Sequence, residues 1–188
     1  MKNNYLKQAW LVLVLAVCFG GALAGVEHSL SGRIKANKLA DTLGQIPSLV
    51  PGAEQGNQEM VGGQLAYRAV DGAGTPVGWV VPVTGQGFAD KIELLLGLNA
   101  DASQITGIYI LDQKETPGLG NKIVEPEWRG QFANKSISPA LVVVKRKAEK
   151  ANEIEAVTGA TISSESVAGI VNQAAAAFRQ KLAEGGQQ

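Results

Sequence analysis

Residues 9–26 (AWLVLVLAVCFGGALAGV) run for 18 positions without a charge. No other feature restricts the chain as strongly. A helix satisfies its own backbone in a bilayer, and 18 residues at about 1.5 Å each reach roughly 27 Å, close to the minimum for a membrane span. Lys2 and Lys7 precede the run. Positive charge stays on the cytoplasmic side, so the N-terminus is expected inside the cytoplasmic (inner) membrane and the remainder on the extracytoplasmic, periplasmic face. Trp10 suits an interfacial anchor. Ala22-Leu23-Ala24 imitates a signal-peptidase pattern, so a cleaved signal peptide competes with a retained single-pass anchor. A lipoprotein reading through Cys18 is weaker, because bulky Val17 precedes it and the cysteine lies deep in the apolar run. Every version exports the rest of the chain. The expected division is 1–26 as N-terminus and anchor, 27–184 as one domain, and 185–188 as a tail.

Composition narrows the chemistry. Seventeen Lys and Arg cancel seventeen Asp and Glu, which argues against nucleic acid as a partner, since neutralising phosphates needs a basic surplus. There is one Cys (Cys18) and one His (His28). An intrachain disulfide, a four-cysteine iron–sulfur cluster and a CxxC-type zinc site are all excluded, and no metal site is expected. His28 comes soon after the apolar run and reads as an exposed polar residue. Any redox chemistry therefore needs an organic cofactor or ligands from elsewhere.

The exported part reads as one α+β domain with antiparallel hairpins and a C-terminal helix. Glu27 to Leu49 continues the membrane helix, with Leu30, Ile34, Leu39, Leu43 and Ile46 approximating an apolar stripe and with Pro47 and Pro51-Gly52 as stops. Gln55 to Gly63 reads as a polar loop. Leu65–Val70 and Val77–Val83 form a hairpin around Asp71-Gly-Ala-Gly-Thr-Pro76, with a glycine turn after it at Thr84–Phe88. Ile92–Leu98 and Ile105–Leu111 pair across Asn99-Ala-Asp. Pro126–Asn134 suggests a short helix with Trp128 and Phe132 on one side. Leu141–Lys145 and Ile154–Val157 read as short strands. Ser164–Leu182 is a helix with Glu165 in its first turn and Arg179 and Lys181 in its last. Trp79, Tyr109 and Trp128 are partner-contact candidates only if exposed; aromatics in such positions more often lie in a core.

Generic nucleotide motifs fail: Gly85-x-Gly87 and Gly72-x-Gly74 lack the dinucleotide spacing, and there is no GxxxxGK[ST]. No residue stands out as catalytic. Two segments remain. In Glu115-Thr116-Pro117-Gly118-Leu119-Gly120, Pro-Gly suits a type II turn, and Gly118 and Gly120 bare the backbone to a flat or anionic ligand. In Glu155-Ala-Val-Thr158-Gly159-Ala160-Thr161, small residues expose Thr161 just before a long helix, where free N–H groups favour phosphate. Taken singly, each reads more readily as an ordinary loop or as a helix cap on Thr161, Ser163 or Ser164.

Together they change the reading. Thr158-Gly-Ala-Thr161 resembles the flavinylation motif of the FMN-binding domain family, and Lys114-Glu-Thr-Pro-Gly-Leu-Gly120 resembles a second hallmark of it. Motif order, spacing and the single N-terminal anchor are similar to the branch that supplies the G subunits of Rnf electron-transport complexes (RnfG), and secondarily to their NqrC paralogues. The resemblance implies covalent FMN, linked by a flavin transferase as a phosphoester to Thr161. It places Thr158, Gly159 and Ala160 around the attachment and Glu115, Thr116, Pro117, Gly118, Leu119 and Gly120 beside the flavin. It also implies an electron-carrying subunit, not catalytic alone, whose partners are the other Rnf subunits and whose complex couples ferredoxin–NAD electron transfer to Na+ or H+ movement. One departure is Glu155, where the family pattern usually has Asp. Two alternatives stay open: an FMN domain serving another extracytoplasmic system (NqrC-like or a reductase partner), and a flavin-free anchored binding or assembly module.

Overall fold

The computed structural model describes residues 3–185. Lys2, the side chain of Lys7 and positions 186–188 of the expected tail lie outside the described residues. The chain divides into two compact units, one ending at Asp41 and one beginning at Thr42.

A single helix, α1 (Asn3–Leu49), accounts for the first unit and enters the second. Every side chain from Ala9 to Val26 is exposed, Trp10, Leu13, Val17 and Phe19 among them. A helix apolar on all sides belongs in a protein core or a membrane, and this one is long and apolar enough to cross a bilayer. His28 is exposed, as expected. Of the stripe expected along Leu30, Ile34, Leu39, Leu43 and Ile46, only Ile46 is buried: Leu30, Ile34 and Leu39 precede the unit that begins at Thr42, and Leu43 within it stays exposed. Nor does Pro47 stop the helix. Burial of Ile46, Leu49 and Val50 and a bond from the Val50 N–H to the Ile46 carbonyl (3.0 Å) hold the last turn, and the chain breaks at Pro51-Gly52, where Gly52 adopts φ +83°.

The domain is an antiparallel meander of β1 (Gln55–Val61), β2 (Gln64–Val70), β3 (Pro76–Gln86), β4 (Lys91–Asn99), β5 (Gln104–Asp112) and β6 (Lys135–Ser136), paired in chain order. Both faces are covered, which explains why the Ile92–Leu98 run is nearly continuous in apolar residues. Ile92, Leu94, Leu96 and Leu98 join Trp79, Val81, Ile105, Ile108 and Ile110 beneath α3 (Thr161–Gly185), where Phe178 meets Trp79 edge-on at 5.5 Å. Leu95, Val80 and Tyr67 face the other way, onto Ile46, Leu49 and Val50. Between β5 and β6, a 3-10 turn (Gly120–Val124), the short helix α2 (Pro126–Arg129) and a second 3-10 turn (Gly130–Phe132) bury Ile123, Trp128 and Phe132. A separate parallel pair, β7 (Val142–Val144) and β8 (Glu153–Glu155), leads into α3.

Three further expectations need correction. Gln55–Gly63 is not a loop: Gln55 to Val61 form β1, in unbroken register with β2 from Gln55↔Val70 to Val61↔Gln64. The segment lacks β-branched residues except Val61 and owes its conformation to its partner. The Thr84–Phe88 turn begins later, since β3 runs to Gln86 against Lys91 and Gly85 leaves the space that Ile170 of α3 occupies. Helix α3 starts at Thr161 and ends at Gly185, so Glu165 is not in its first turn and Arg179 and Lys181 are not in its last. Trp79 and Trp128 are buried, with their ring N–H groups donating to the carbonyls of Ala100 (3.2 Å) and Glu155 (2.8 Å). Tyr109 lies under Arg129, the cation 4.8 Å from the ring centre. The two tryptophans are core residues, not surface contacts.

Candidate functional site

Strand β8 delivers the chain to the start of α3 through a turn that Ser164 organises from inside the helix. Its Oγ accepts from the Val157 N–H (3.0 Å) and donates to the Ala160 carbonyl (3.0 Å). The Ala160 N–H closes on Val157 (2.9 Å), and Gly159 takes φ +80°, a conformation open to glycine. The Ser164 N–H is the first to bond into the helix, to Ala160 (3.1 Å). The N–H groups of Thr161, Ile162 and Ser163 therefore have no acceptor within the helix.

Of the three hydroxyls that could have capped this helix, Ser164 serves the turn and Ser163 donates to a buried carboxyl, Glu115 Oε2, at 2.6 Å. The third, on half-buried Thr161, has no hydrogen-bond partner among the described residues.

The second segment folds against this turn. The Leu119 N–H bonds to the Thr116 carbonyl (3.1 Å) across Pro117 and Gly118, and Gly118 at φ +77° supplies the positive φ that a type II turn needs. Gly120 is buried where a Cβ would come within 2.7 Å of Ser163 Oγ. An exposed ion pair, Lys114 Nζ to Asp90 Oδ2 at 3.1 Å, links this loop to the β3–β4 turn. The Lys91 N–H and then Lys114 hold the Asp90 carboxyl below its ordinary range, and Asp90 in turn raises Lys114.

The two segments enclose a cleft of about 340 Å³, lined by Phe88, Thr116, Leu119, Gly120, Gly159, Ala160, Thr161, Ile162 and Ser163. That is within the size range of small-molecule sites. Phe88, Leu119 and Ile162 expose large apolar surface beside the unengaged Thr161 hydroxyl. The structure thus brings together six of the ten expected site residues. Pro117, Gly118 and Thr158 are exposed and do not line the cleft, and Glu115 is buried behind it, 3% exposed. Glu155 is exposed and engaged through its backbone, its N–H donating to Gln131 Oε1 (2.7 Å). Sequence reasoning missed Phe88, Ile162 and Ser163. The last two adjoin the motif; Phe88 reaches the cleft only through sheet topology. Among the described residues no cluster of three or more His, Cys, Asp or Glu could hold a metal.

Residues 87–176 match the family described as the FMN-binding domain. The match takes in every residue lining the cleft. The particular relatives are subunits of redox complexes. The chain is 36% identical over 110 residues to the G subunit of the ion-translocating oxidoreductase complex of Methanosarcina acetivorans, covering 58% of this chain and 56% of that protein. It is 46% identical over 102 residues to the G subunit of the Na(+)-translocating ferredoxin:NAD(+) oxidoreductase complex of Acetobacterium woodii, covering 53% and 48%. The chain thus spans about half the length of these curated relatives. The crystal structure of Shewanella oneidensis NqrC superposes with a TM-score of 0.57 over 71% of this chain and 70% of that one, at 20% identity, so the likeness is one of fold.

Proposed function

We propose that this chain is the FMN-carrying electron-relay subunit, of the G type, of a membrane-bound ion-translocating oxidoreductase, and that FMN is joined through its phosphate to Thr161 Oγ1. The observation that carries the reading is the cleft itself, in which two motifs far apart in sequence meet around a hydroxyl that has no hydrogen-bond partner among the described residues.

The residues present fit the group. Free N–H groups at the start of α3 suit the phosphate. Bare backbone at Gly120 and Gly159 admits close approach, and Phe88, Leu119 and Ile162 offer apolar surface to a flat ring. When bound, the flavin supplies the ability to take one or two electrons; the protein supplies position and surroundings. Ser163 and Ser164 are committed elsewhere, and of the hydroxyls at the start of α3 that of Thr161 stands beside the free N–H groups that suit a phosphate.

A flavin transferase performs the attachment, and the other subunits of the complex, which passes electrons between ferredoxin and NAD with Na+ or H+ movement, are the electron partners. The α1 anchor keeps the N-terminus in the cytoplasm and the FMN domain on the extracytoplasmic face. The subunit relays electrons and is not a catalyst alone.

The test is the intact mass of the protein made with and without an active flavin transferase, beside Thr161→Ala. The expected result is a gain of one FMN less one water in the parent, absent in the variant, with the variant's thermal midpoint within a few degrees of the parent's. A parent that gains no mass, alongside a control substrate that does, overturns the reading in favour of a flavin-free module.

A further inference from the structure

Glu115 belongs to the motif loop, yet its carboxyl does not line the cleft. It is 3% exposed, and no cation pairs with it among the described residues. A buried carboxyl is costly unless its oxygens are satisfied. Here each oxygen accepts from a different part of the chain: Oε1 from the Ala89 N–H (3.1 Å) and Oε2 from Ser163 Oγ–H (2.6 Å).

Two glycines are shaped around the same group. A Cβ on Gly87 would collide with Glu115 Oε1, and one on Gly120 would lie 2.9 Å from Glu115 Cβ and 3.0 Å from Oε2. The three segments so joined are the three walls of the cleft. Ala89 adjoins Phe88, Glu115 adjoins Thr116, and Ser163 comes directly after Thr161 and Ile162.

We propose that Glu115 and Ser163 form a buried strut that sets the spacing of the three cleft walls and so the placement of Thr161 and of the ligand beside it. Glu115 is a positioning residue: it acts through Ser163 on the start of α3 and through Ala89 on Phe88. The effect on flavin rests on the reading of this cleft as the FMN site; the effect on the walls does not.

The full-length protein, made with a flavin transferase, is compared as parent, Glu115→Gln, Glu115→Ala and Ser163→Ala. Gln keeps the shape and an acceptor for Ala89, and Ser163 can turn its hydroxyl to accept from the new amide, so Glu115→Gln is expected to load FMN at the parental rate with the parental visible circular dichroism. Misplacing a reacting group by about 1 Å can slow a reaction by about a hundredfold. Glu115→Ala and Ser163→Ala are therefore expected to load FMN at least several-fold more slowly, and the flavin they carry to show an altered visible dichroism band. Parental rate and band in both variants would overturn the strut.

Hydrogen exchange on the flavin-free proteins supplies the independent readout. The strut predicts faster exchange at the hydrogen-bonded amides of Gly87, Ala89, Ala160 and Ser164 in Glu115→Ala and Ser163→Ala but not in Glu115→Gln. Exchange that rises only next to the substituted residue overturns it, and a parent that takes up no flavin while its variants still show the coupled exchange sinks the FMN reading while leaving the strut. Should Glu115→Ala not fold, Ser163→Ala, which keeps the carboxyl and its Ala89 bond, decides alone.

Discussion

At single residues, the cleft depends on backbone conformations and hydroxyl assignments that neighbouring side chains enforce. Gly159 combines φ +80° with a position where a Cβ would meet Leu119 Cδ2 at 3.0 Å. Gly159→Ala is expected to cost about 1–2 kcal/mol, the penalty of a left-handed backbone for a residue with a Cβ, read as a lower urea midpoint with an unchanged slope. Glu153 illustrates charge at the same scale. The Glu149 N–H, then that of Lys150 and the Arg146 guanidinium, bring its pKa from the ordinary 4.5 to about 2. A carboxyl lowered on folding stabilises fully above the unfolded value and loses that contribution as pH falls from about 4.5 toward about 2. The parent should therefore melt above Glu153→Gln at pH 7, with the two midpoints converging near pH 2. Equal midpoints at pH 7 would remove Glu153 from the forces holding β7 to β8.

Among elements, the last turns of α1 matter beyond their length. Ile46, Leu49 and Val50 cover the sheet face that carries Tyr67, Val80 and Leu95. Three such side chains contribute about 4.5–9 kcal/mol by burial, comparable with the whole stability of a small domain. A fragment starting at Thr42 is expected to melt cooperatively, whereas one starting at Ala53 is not, as circular dichroism would show. Within the full chain, Ile46→Ala should cost about 2–5 kcal/mol. Strand β1 makes the complementary point. Its sequence, QGNQEMV, has little strand character of its own. The signal that could have found it is Gly62-Gly63, both at positive φ (52° and 76°), in the two-residue connection to β2. Strand β2 then templates β1 through backbone pairing, the Arg68–Glu59 ion pair (2.7 Å) and burial of Val61.

For the whole molecule, the anchor and the domain make separate demands. The uncharged run Ala9–Val26 with exposed apolar side chains needs lipid, while the unit from Thr42 has its own core and needs only its sheet and helix. In spheroplasts, added protease is expected to remove the domain while leaving the anchor in the membrane fraction. Protection of the domain until the membrane is broken would reverse the proposed orientation.

Local pattern was enough to specify the membrane helix, four of the central strands, α2 with its Trp128–Phe132 contact, α3 and the two motif loops. Each has a period, a turn residue or a charge boundary of its own, and these act over a few neighbouring residues. Tertiary structure alone decided that Gln55–Val61 is a strand, that Pro47 is tolerated, and that Phe88 joins Thr116 and Thr161 at one cleft. It also decided that Glu115 lies beneath that cleft rather than in it, and that Ser163 and Ser164 spend their hydroxyls on hydrogen bonds while Thr161 finds no partner among the described residues. Those outcomes depend on which segments the sheet brings together and which donors find acceptors there. Such choices are made between residues far apart in the chain, where sequence pattern carries no distance information.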